Sequence, residues 1–246
     1  MKAILTYHSI DDSSSVISIS PDVFRRHVAW LASGAVRVVS LDELMALPSS
    51  VDAVSLTFDD AFVNFAEIAA PLLVRNRLPA TVMVVSEHAG GTNAWRGACA
   101  HDIPTLPLMD WHELGRMREM GFAIGAHSRT HPHLTALPPD ALADEIGGSA
   151  EHIERELGVR PAVFAYPYGS VDEAVAEATS GFSWGLTTEL RTLRGRERRT
   201  CLPRLDMYYF RAGTWLEAYG LPRFRQYLWV RSGARRVRAA LATVAE

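Results

Sequence analysis

Cysteine is scarce in this chain, with only 2 among 246 residues. Cys99 and Cys201 lie about a hundred residues apart and form no CxxC pair, which argues against a thiolate metal cluster. A disulfide between them and two free thiols in a reducing compartment are both open, and two free thiols are the simpler interpretation.

A basic excess and long apolar runs are also missing. The chain carries 25 basic and 28 acidic residues, a net charge of -3. It therefore lacks the positive surplus of a dedicated nucleic-acid binder. No window approaches the roughly 18 apolar residues of a membrane-spanning helix. The first apolar run is interrupted by His8 and is too short for a signal peptide, so we expect a cytoplasmic protein.

The residues that are present have the composition of a folded protein, with 48% hydrophobic and 22% charged side chains. Short apolar runs alternate with helical patterns, which predicts a parallel α/β fold, either a barrel or an open sheet. Strands are predicted at residues 3–7, 36–39, 53–57, 81–85, 122–126, 162–165 and 182–187, and helices at 21–32, 41–47, 61–75, 111–120, 139–157 and 172–179.

The C-terminal region differs in character from the rest. From Leu221 onward, arginines are interleaved with apolar side chains. One interpretation is a terminal helix that packs an apolar face on the body and exposes a basic face to water. The other is an interfacial helix attracted to anionic lipid or to a partner. Gly233 weakens the prediction of one continuous helix. We interpret residues 1–246 as a single domain with a basic helical extension from about residue 212.

Two adjacent carboxylates, Asp59 and Asp60, stand at the end of a predicted buried strand. Burying both is costly unless they are paired or bind a cation. The carboxyl ends of the strands form the functional site in parallel α/β folds. Taken alone, the pair is equally consistent with a helix cap or a turn.

Two histidines, His127 and His131, follow another predicted strand. They can bind one cation if the backbone between them is helical or tightly turned, although a structural role is the alternative. With a carboxylate they would leave open positions for water and substrate, as catalytic metal sites require. Non-haem iron oxygenases also use two histidines and one acid. In those enzymes the first histidine precedes the acid, whereas here the acid comes first.

Two further segments bear on a binding cleft. Residues 166–169 (YPYG) follow a third strand, where proline and glycine impose a turn and the tyrosines can form an apolar wall. Residues 86–110 read as a long loop, and loops of that length tend to be functional. Trp95 in this loop suits stacking on a sugar face, with plain packing as the alternative.

Taken in order, residues 57–60 (TFDD), 127–132 (HSRTHP) and 166–169 (YPYG) resemble the motifs of the polysaccharide deacetylases. This is carbohydrate esterase family 4, with the NodB homology domain, and the resemblance covers roughly residues 1–210. It implies a distorted (β/α) barrel and metal-dependent removal of acetyl groups, usually from N-acetylglucosamine units. It further implies Asp59 as the catalytic base, the Tyr168 N–H as the oxyanion donor, a substrate wall of Tyr166, Pro167 and Tyr168, and the metal ligands Asp60, His127 and His131.

The chain departs from the common family pattern in two places. Ala165 stands where the pattern has an arginine that pairs with the catalytic base. Arg204 could replace it, held by Asp206, with a surface salt bridge as the alternative. In addition, no histidine follows His152, so the family's C-terminal general acid is missing.

The second departure indicates a particular branch of the family. Residues 5–10 (LTYHSI) resemble the first strand of the biofilm poly-N-acetylglucosamine deacetylases, in which the motif order is permuted. That resemblance implies His8 as the general acid, with a buried structural histidine as the alternative. An amine is a poor leaving group unless it is protonated, so the reaction needs such an acid.

The sequence therefore predicts a metal-dependent deacetylase of N-acetylated sugars. Zinc is the default cation for one aspartate and two histidines, and cobalt, nickel or iron would also fit. The alternatives are an inactive carbohydrate-binding family member and a hydrolase of a non-polymeric amide. A polymer, a lipid-linked sugar and a small glycoside are all open as the substrate, and the oligomeric state is open as well.

Overall fold

The computed structural model describes residues 1–95, 97 and 99–244, with side chains through Arg235. The strands are β1 (Lys2–Tyr7), β2 (Ser9–Ile10), β3 (Ser18–Ile19), β4 (Arg37–Val38), β5 (Ala53–Phe58), β6 (Ala80–Val84), β7 (Ala123–Ala126), β8 (Val163–Ala165), β9 (Trp184–Leu186) and β10 (Leu205–Asp206). The helices are α1 (Pro21–Ala32), α2 (Leu41–Ala46), α3 (Ala70–Arg75), α4 (Trp111–Glu119), α5 (Pro139–Ala143), α6 (Ser149–Leu157), α7 (Glu173–Ala178) and α8 (Pro222–Val244).

Eight of these strands form one parallel sheet, in the order β10-β1-β5-β6-β7-β8-β9, with β4 beside the start of β5. The residues after β9 turn back toward the first strand. Leu202 pairs with Leu186 of β9, and Leu205 pairs with Leu5 of β1. The segment 202–206 thus links the two ends of the sheet. This is the distorted (β/α) barrel that the family resemblance implies.

The centre of the sheet is buried on both faces. Every residue of β1 and of β5 is buried, as expected for parallel strands covered by helices. At the carboxyl ends of β1 and β5, Tyr7 stacks on Phe58 at 5.0 Å between ring centroids. Phe24 and Phe65 meet the Phe58 ring edge-on. This aromatic cluster holds the ends of β1 and β5 side by side, so the residues that follow them emerge at one edge.

The predicted helices over residues 61–75 and 139–157 are present with interruptions. A π-helical turn, Phe65–Ala69, precedes α3, and another, Asp144–Gly148, joins α5 to α6. In a π-helical turn the backbone hydrogen bonds span five residues instead of four. The predicted period of 3.6 residues therefore overstated the regularity of these two helices. The two-residue strands β2, β3 and β10 carry no periodic signal and were not predicted.

Helix α8 runs without a break through Gly233, so this glycine does not prevent one continuous helix. Phe224 and Leu228 are buried on the inner face of α8, and this packing outweighs the low helix propensity of glycine. Cys99 and Cys201 are free thiols.

Candidate metal centre

The turn after β5 places Asp59 and Asp60 side by side but in different surroundings. Both residues are buried. Asp60 and Ala61 adopt positive φ angles of 71° and 59°, which turn the chain sharply at the strand end. Within the described chain, seven non-glycine residues have positive φ, and Ser128, His131 and Tyr168 also belong to this strand-end region. Strained backbone of this kind is concentrated at functional sites.

Asp59 is held by a buried arginine. Arg204, only 1% exposed, donates from Nη1 and Nη2 to the two carboxylate oxygens at 2.7 and 2.8 Å. Burial alone would raise the pKa of Asp59, but the charges of Arg204, His127 and His8 outweigh it and hold that pKa below its usual range. Asp59 is therefore an ionised carboxylate, and the surface salt-bridge alternative for Arg204 is excluded by its burial.

Arg204 is fixed in turn by oxygens from neighbouring strands. It donates from Nε to the carbonyl of Thr187 at 3.0 Å and from Nη1 to the hydroxyl of Thr6 at 2.7 Å. The Thr6 hydroxyl lies 2.7 Å from that of Thr57. These contacts replace the expected support from Asp206, so the prediction that Asp206 holds Arg204 is wrong. Asp206 instead accepts a hydrogen bond from the Tyr208 N–H and begins a short helical turn.

Asp60 lies between two imidazoles. The Nε2 atoms of His127 and His131 each lie 3.6 Å from Asp60 Oδ1. One potential ligand atom from each of the three residues lies within 4.8 Å of the others. All three residues are buried, and burial raises the pKa of Asp60 and, together with the nearby His127, lowers the pKa of His131.

This donor set fits a divalent cation. Asp60 Oδ1 is buried and has no hydrogen-bond partner in the described structure, as expected of an atom that faces a ligand. His127 Nδ1 lies 2.8 Å from the Ala165 carbonyl, so Nδ1 carries the proton and Nε2 presents its lone pair to the centre. Oxygen and imidazole donors at this spacing suit zinc and its neighbours in the first transition row.

A tight turn, rather than a helix, brings the two histidines together. Ser128 and His131 have positive φ, and the His131 N–H donates to Ser128 Oγ at 3.0 Å. The backbone N–H groups of Arg129 and Thr130 both donate to Glu145 Oε2, at 2.8 and 2.9 Å. The turn is therefore tied to the π-helical segment before α6, which keeps both imidazoles aimed at Asp60.

His8, the residue after β1, faces the centre from the opposite side. Its Nε2 lies 3.7 Å from Asp59 Oδ2, and its side chain is 22% exposed. Burial raises the pKa of Asp206, and the charge of His8 is the largest influence opposing that rise. His8 thus lies beside Asp59 with part of its side chain exposed to solvent, an arrangement suited to proton transfer.

These residues share a pocket of about 330 Å³. Asp59, Asp60, His8 and the two histidines form its floor, and Tyr166, Tyr168, Trp95 and Thr188 are among its walls. The Tyr166 hydroxyl contacts Thr179 and Thr200 in the interior, so only its ring faces the pocket. Pro167 is buried at the start of the turn and is not among the residues that line the pocket.

The aromatic walls are packed on the metal-ligand candidates. Trp95 stacks on the His131 ring, with centroids 4.6 Å apart and an angle of 26°. Tyr168 meets His131 edge-on at 4.6 Å and is 52% exposed. One face of Trp95 is therefore occupied by His131, and only its remaining surface is available to a sugar.

Several residues of the pocket wall were not predicted from the sequence. Val16, Ile17 and Ile103 line the pocket, as do Cys99 and Thr188. They come from the β2–β3 connection, the long loop and the segment after β9. None belongs to a periodic pattern, so the only usable signal was the length of the loop over residues 86–110.

The comparisons with known proteins identify a family for this chain and agree with the barrel fold. The model of the polysaccharide deacetylase family matches residues 47–184, and the chain belongs to that family. The match contains Asp59, Asp60, His127 and His131, whereas His8 and Arg204 lie outside it.

Two sequence relatives illustrate the similarity. YxkH of Bacillus subtilis, which carries a polysaccharide deacetylase name, is 23% identical over 193 residues, covering 76% of this chain and 64% of the relative. A poly-beta-1,6-N-acetyl-D-glucosamine N-deacetylase of Staphylococcus epidermidis is 22% identical over 205 residues, covering 76% and 67%. The chain thus spans about two thirds of the length of these relatives.

Solved structures show the same fold. IcaB from Ammonifex degensii has a TM-score of 0.71 and 24% identity, covering 83% of this chain and 91% of that chain. The deacetylase PplD of Streptococcus pyogenes, solved with acetate, has a TM-score of 0.69 and 21% identity, with the same coverage.

Proposed function

We propose that this chain is a metal-dependent deacetylase that hydrolyses the acetamido group of an N-acetylated sugar in an oligosaccharide, polysaccharide or glycoconjugate. The observation that carries the proposal is the convergence of two functional sets in one pocket. One is the donor set Asp60, His127 and His131, and the other is the carboxylate of Asp59 between Arg204 and His8.

A divalent cation held by Asp60, His127 and His131 would supply Lewis acidity, which makes water more acidic and polarises an acetyl carbonyl. The residues of the chain would carry the proton transfers. Asp59 is ionised and accepts the proton of the attacking water. Arg204 keeps the Asp59 carboxylate fixed through two hydrogen bonds and prevents it from turning toward the cation side.

The other two roles concern the developing charges. The backbone N–H of Tyr168 donates to the oxyanion, and one such donor contributes on the order of 3 kcal/mol. His8 in its protonated form donates to the amine nitrogen as the C–N bond breaks. Its position 3.7 Å from Asp59 would let the proton that Asp59 takes from water restore the protonated form of His8 after the amine has left.

The first experiment measures acetate release from N-acetylated mono- and oligosaccharides. The metal-stripped protein is assayed with zinc, cobalt or nickel added back, beside the Asp59→Asn variant. Release that needs the metal and is lost in the variant supports the proposal. Bound metal without release from any sugar contradicts it and favours an inactive carbohydrate-binding member of the family.

A further inference from the structure

Helix α8 packs one face on the barrel, and no element of the described part of the chain covers its other face. Phe224 is fully buried and Leu228 is 7% exposed. On the other side, Trp229 is 77% exposed and Val230 is 55% exposed. A tryptophan this exposed beside a branched apolar side chain is unusual on a surface in contact with water alone.

Charge on this segment has a single sign. Residues 221–244 contain no aspartate or glutamate and six arginines, Arg223, Arg225, Arg231, Arg235, Arg236 and Arg238. This segment therefore carries a net charge of +6, whereas the rest of the chain carries a net charge of -9. This asymmetry would attract an anionic surface to α8 and orient the rest of the molecule away from it.

Two arginines precede the exposed apolar pair on the same face of the helix. Arg225 is one helical turn before Trp229, and Arg223 is two turns before Val230, so each arginine shares a side with one apolar residue. Both arginines are exposed, and neither forms a salt bridge within the described residues. Within the described residues, the exposed face of α8 thus carries an apolar pair, Trp229 and Val230, in line with two arginines that form no salt bridge.

A groove beside α8 continues this surface. It has a volume of about 760 Å³ and is lined by Trp229, Leu228, Arg225 and Arg194 among others. A neighbouring cavity of about 410 Å³ shares Leu190 and Ser232 with the groove. That cavity also shares Thr188 with the candidate metal pocket, so the α8 face and the pocket are linked along one surface.

We propose that this face of α8 docks on the surface of an anionic lipid bilayer. Trp229 and Val230 enter the headgroup region, while Arg223 and Arg225 contact lipid phosphates. A second copy of the chain fits this face poorly, because a two-fold interface would place the same arginines against each other. The exposed apolar pair also distinguishes this face of α8 from a nucleic-acid site, which would need further positive charge at its centre.

The test is sedimentation of the full chain with vesicles of phosphatidylcholine, with and without phosphatidylglycerol. We expect binding only to the anionic vesicles, and weaker binding when salt is raised from about 0.1 M to about 1 M, which shortens the screening length from about 10 Å to about 3 Å. Arg223→Glu/Arg225→Glu should lower partitioning more than about tenfold, since one arginine near an anionic surface contributes on the order of fivefold.

Two further variants separate the contributions. Trp229→Gln/Val230→Gln keeps the charge and should also reduce binding severalfold. Arg75→Glu/Arg77→Glu changes the net charge equally at two exposed positions, the last residue of α3 and the turn after it, and should bind like the unaltered chain. The proposal is overturned if the unaltered chain ignores anionic vesicles, if it binds neutral vesicles as well, or if the Arg75/Arg77 control loses as much binding as the α8 variant. None of these readouts depends on the proposed reaction.

Discussion

Arg204 donates one hydrogen bond to each carboxylate oxygen of Asp59, although 145 residues separate the two in sequence. The sheet order explains how they meet, because β10 lies beside β1 and β1 lies beside β5. Arg204 immediately precedes β10, and Asp59 immediately follows β5. The side chain crosses the end of β1, and there it also contacts Thr6.

Replacing Arg204 with lysine should lower kcat about a hundredfold, because a single ammonium cannot hold both oxygens of Asp59 and small displacements of a catalytic group are costly. Arg204→Ala should in addition destabilise the fold by about 3 kcal/mol, since it leaves a buried carboxylate unpaired. Acetate release and urea unfolding measure the two effects.

Arg191 offers a matched control for this prediction. It also forms a two-oxygen pair with a glutamate, Glu197, at 2.8 and 2.9 Å, away from the candidate metal centre. Arg191→Lys should leave kcat unchanged. Equal losses in Arg191→Lys and Arg204→Lys would contradict the positioning role of Arg204.

Thr6 supports the same arginine through one hydroxyl. That oxygen accepts from Arg204 and can donate to Thr57, which in turn donates to the Leu5 carbonyl at 3.3 Å. Thr6→Val keeps the shape but removes the acceptor, so we expect a loss of about 2 kcal/mol in stability and a lower kcat with little change in KM. Thr6→Ser keeps the hydroxyl and should restore kcat. A valine variant as active as the serine variant would show that the hydroxyl is dispensable.

The metal content of variants should distinguish the roles of Asp59 and Asp60. Asp60→Ala and His131→Ala remove a ligand and should abolish stoichiometric zinc binding, because two remaining donors hold the cation weakly. Asp59→Asn should retain the metal and lose turnover. The measurement is metal stoichiometry on dialysed protein beside acetate release. Loss of metal in Asp59→Asn would mean that Asp59 is a ligand rather than the base.

His8→Gln should lower turnover about a hundredfold or more while keeping the metal, since the leaving amine then lacks its proton donor. The effect should appear in kcat and be smaller for an acetate ester, whose leaving alcohol needs less assistance. His101→Gln, at a fully exposed loop position, controls for histidine loss. Full activity in His8→Gln on the amide would remove His8 from the mechanism.

The buried His27 should make the fold less stable in acid. Burial is the main cause that lowers its pKa to about 4, while the Phe210 carbonyl opposes this effect and Arg26 adds to it. Its Nε2 lies 3.3 Å from the Phe210 carbonyl and its Nδ1 lies 3.2 Å from the Tyr7 hydroxyl, so the neutral ring donates to the carbonyl and accepts from the tyrosine.

The unfolded chain takes up this proton near pH 6.5 and the folded chain only near pH 4, so stability falls as the pH drops between these values. The contribution amounts to about 2 kcal/mol between pH 7 and pH 5. Urea unfolding at the two pH values should show this difference shrinking in His27→Gln but not in His112→Gln, at an exposed position. An unchanged pH dependence in His27→Gln would contradict the assignment.

The sequence by itself determined the alternation of strands and helices, because buried parallel strands and amphipathic helices leave local hydrophobic patterns. It also indicated the family, because residues 57–60, 127–132 and 166–169 resemble the motifs of that family in order. The precise interruption of the helices by π-turns was not accessible, because a π-turn shifts the pattern by one residue without altering composition.

Only the tertiary structure decided which distant groups meet. Arg204 and Asp206 are two residues apart, and the sequence gives no reason why one reaches Asp59 while the other caps a turn. The difference arises from the pairing of β10 with β1, which directs the side chain of Arg204 across the strand ends. Long-range pairing depends on the packing of the whole sheet, and no local pattern records it. The stacking of Trp95 on His131 was decided in the same way, as were the burial of Phe224 and the exposure of Trp229 on α8.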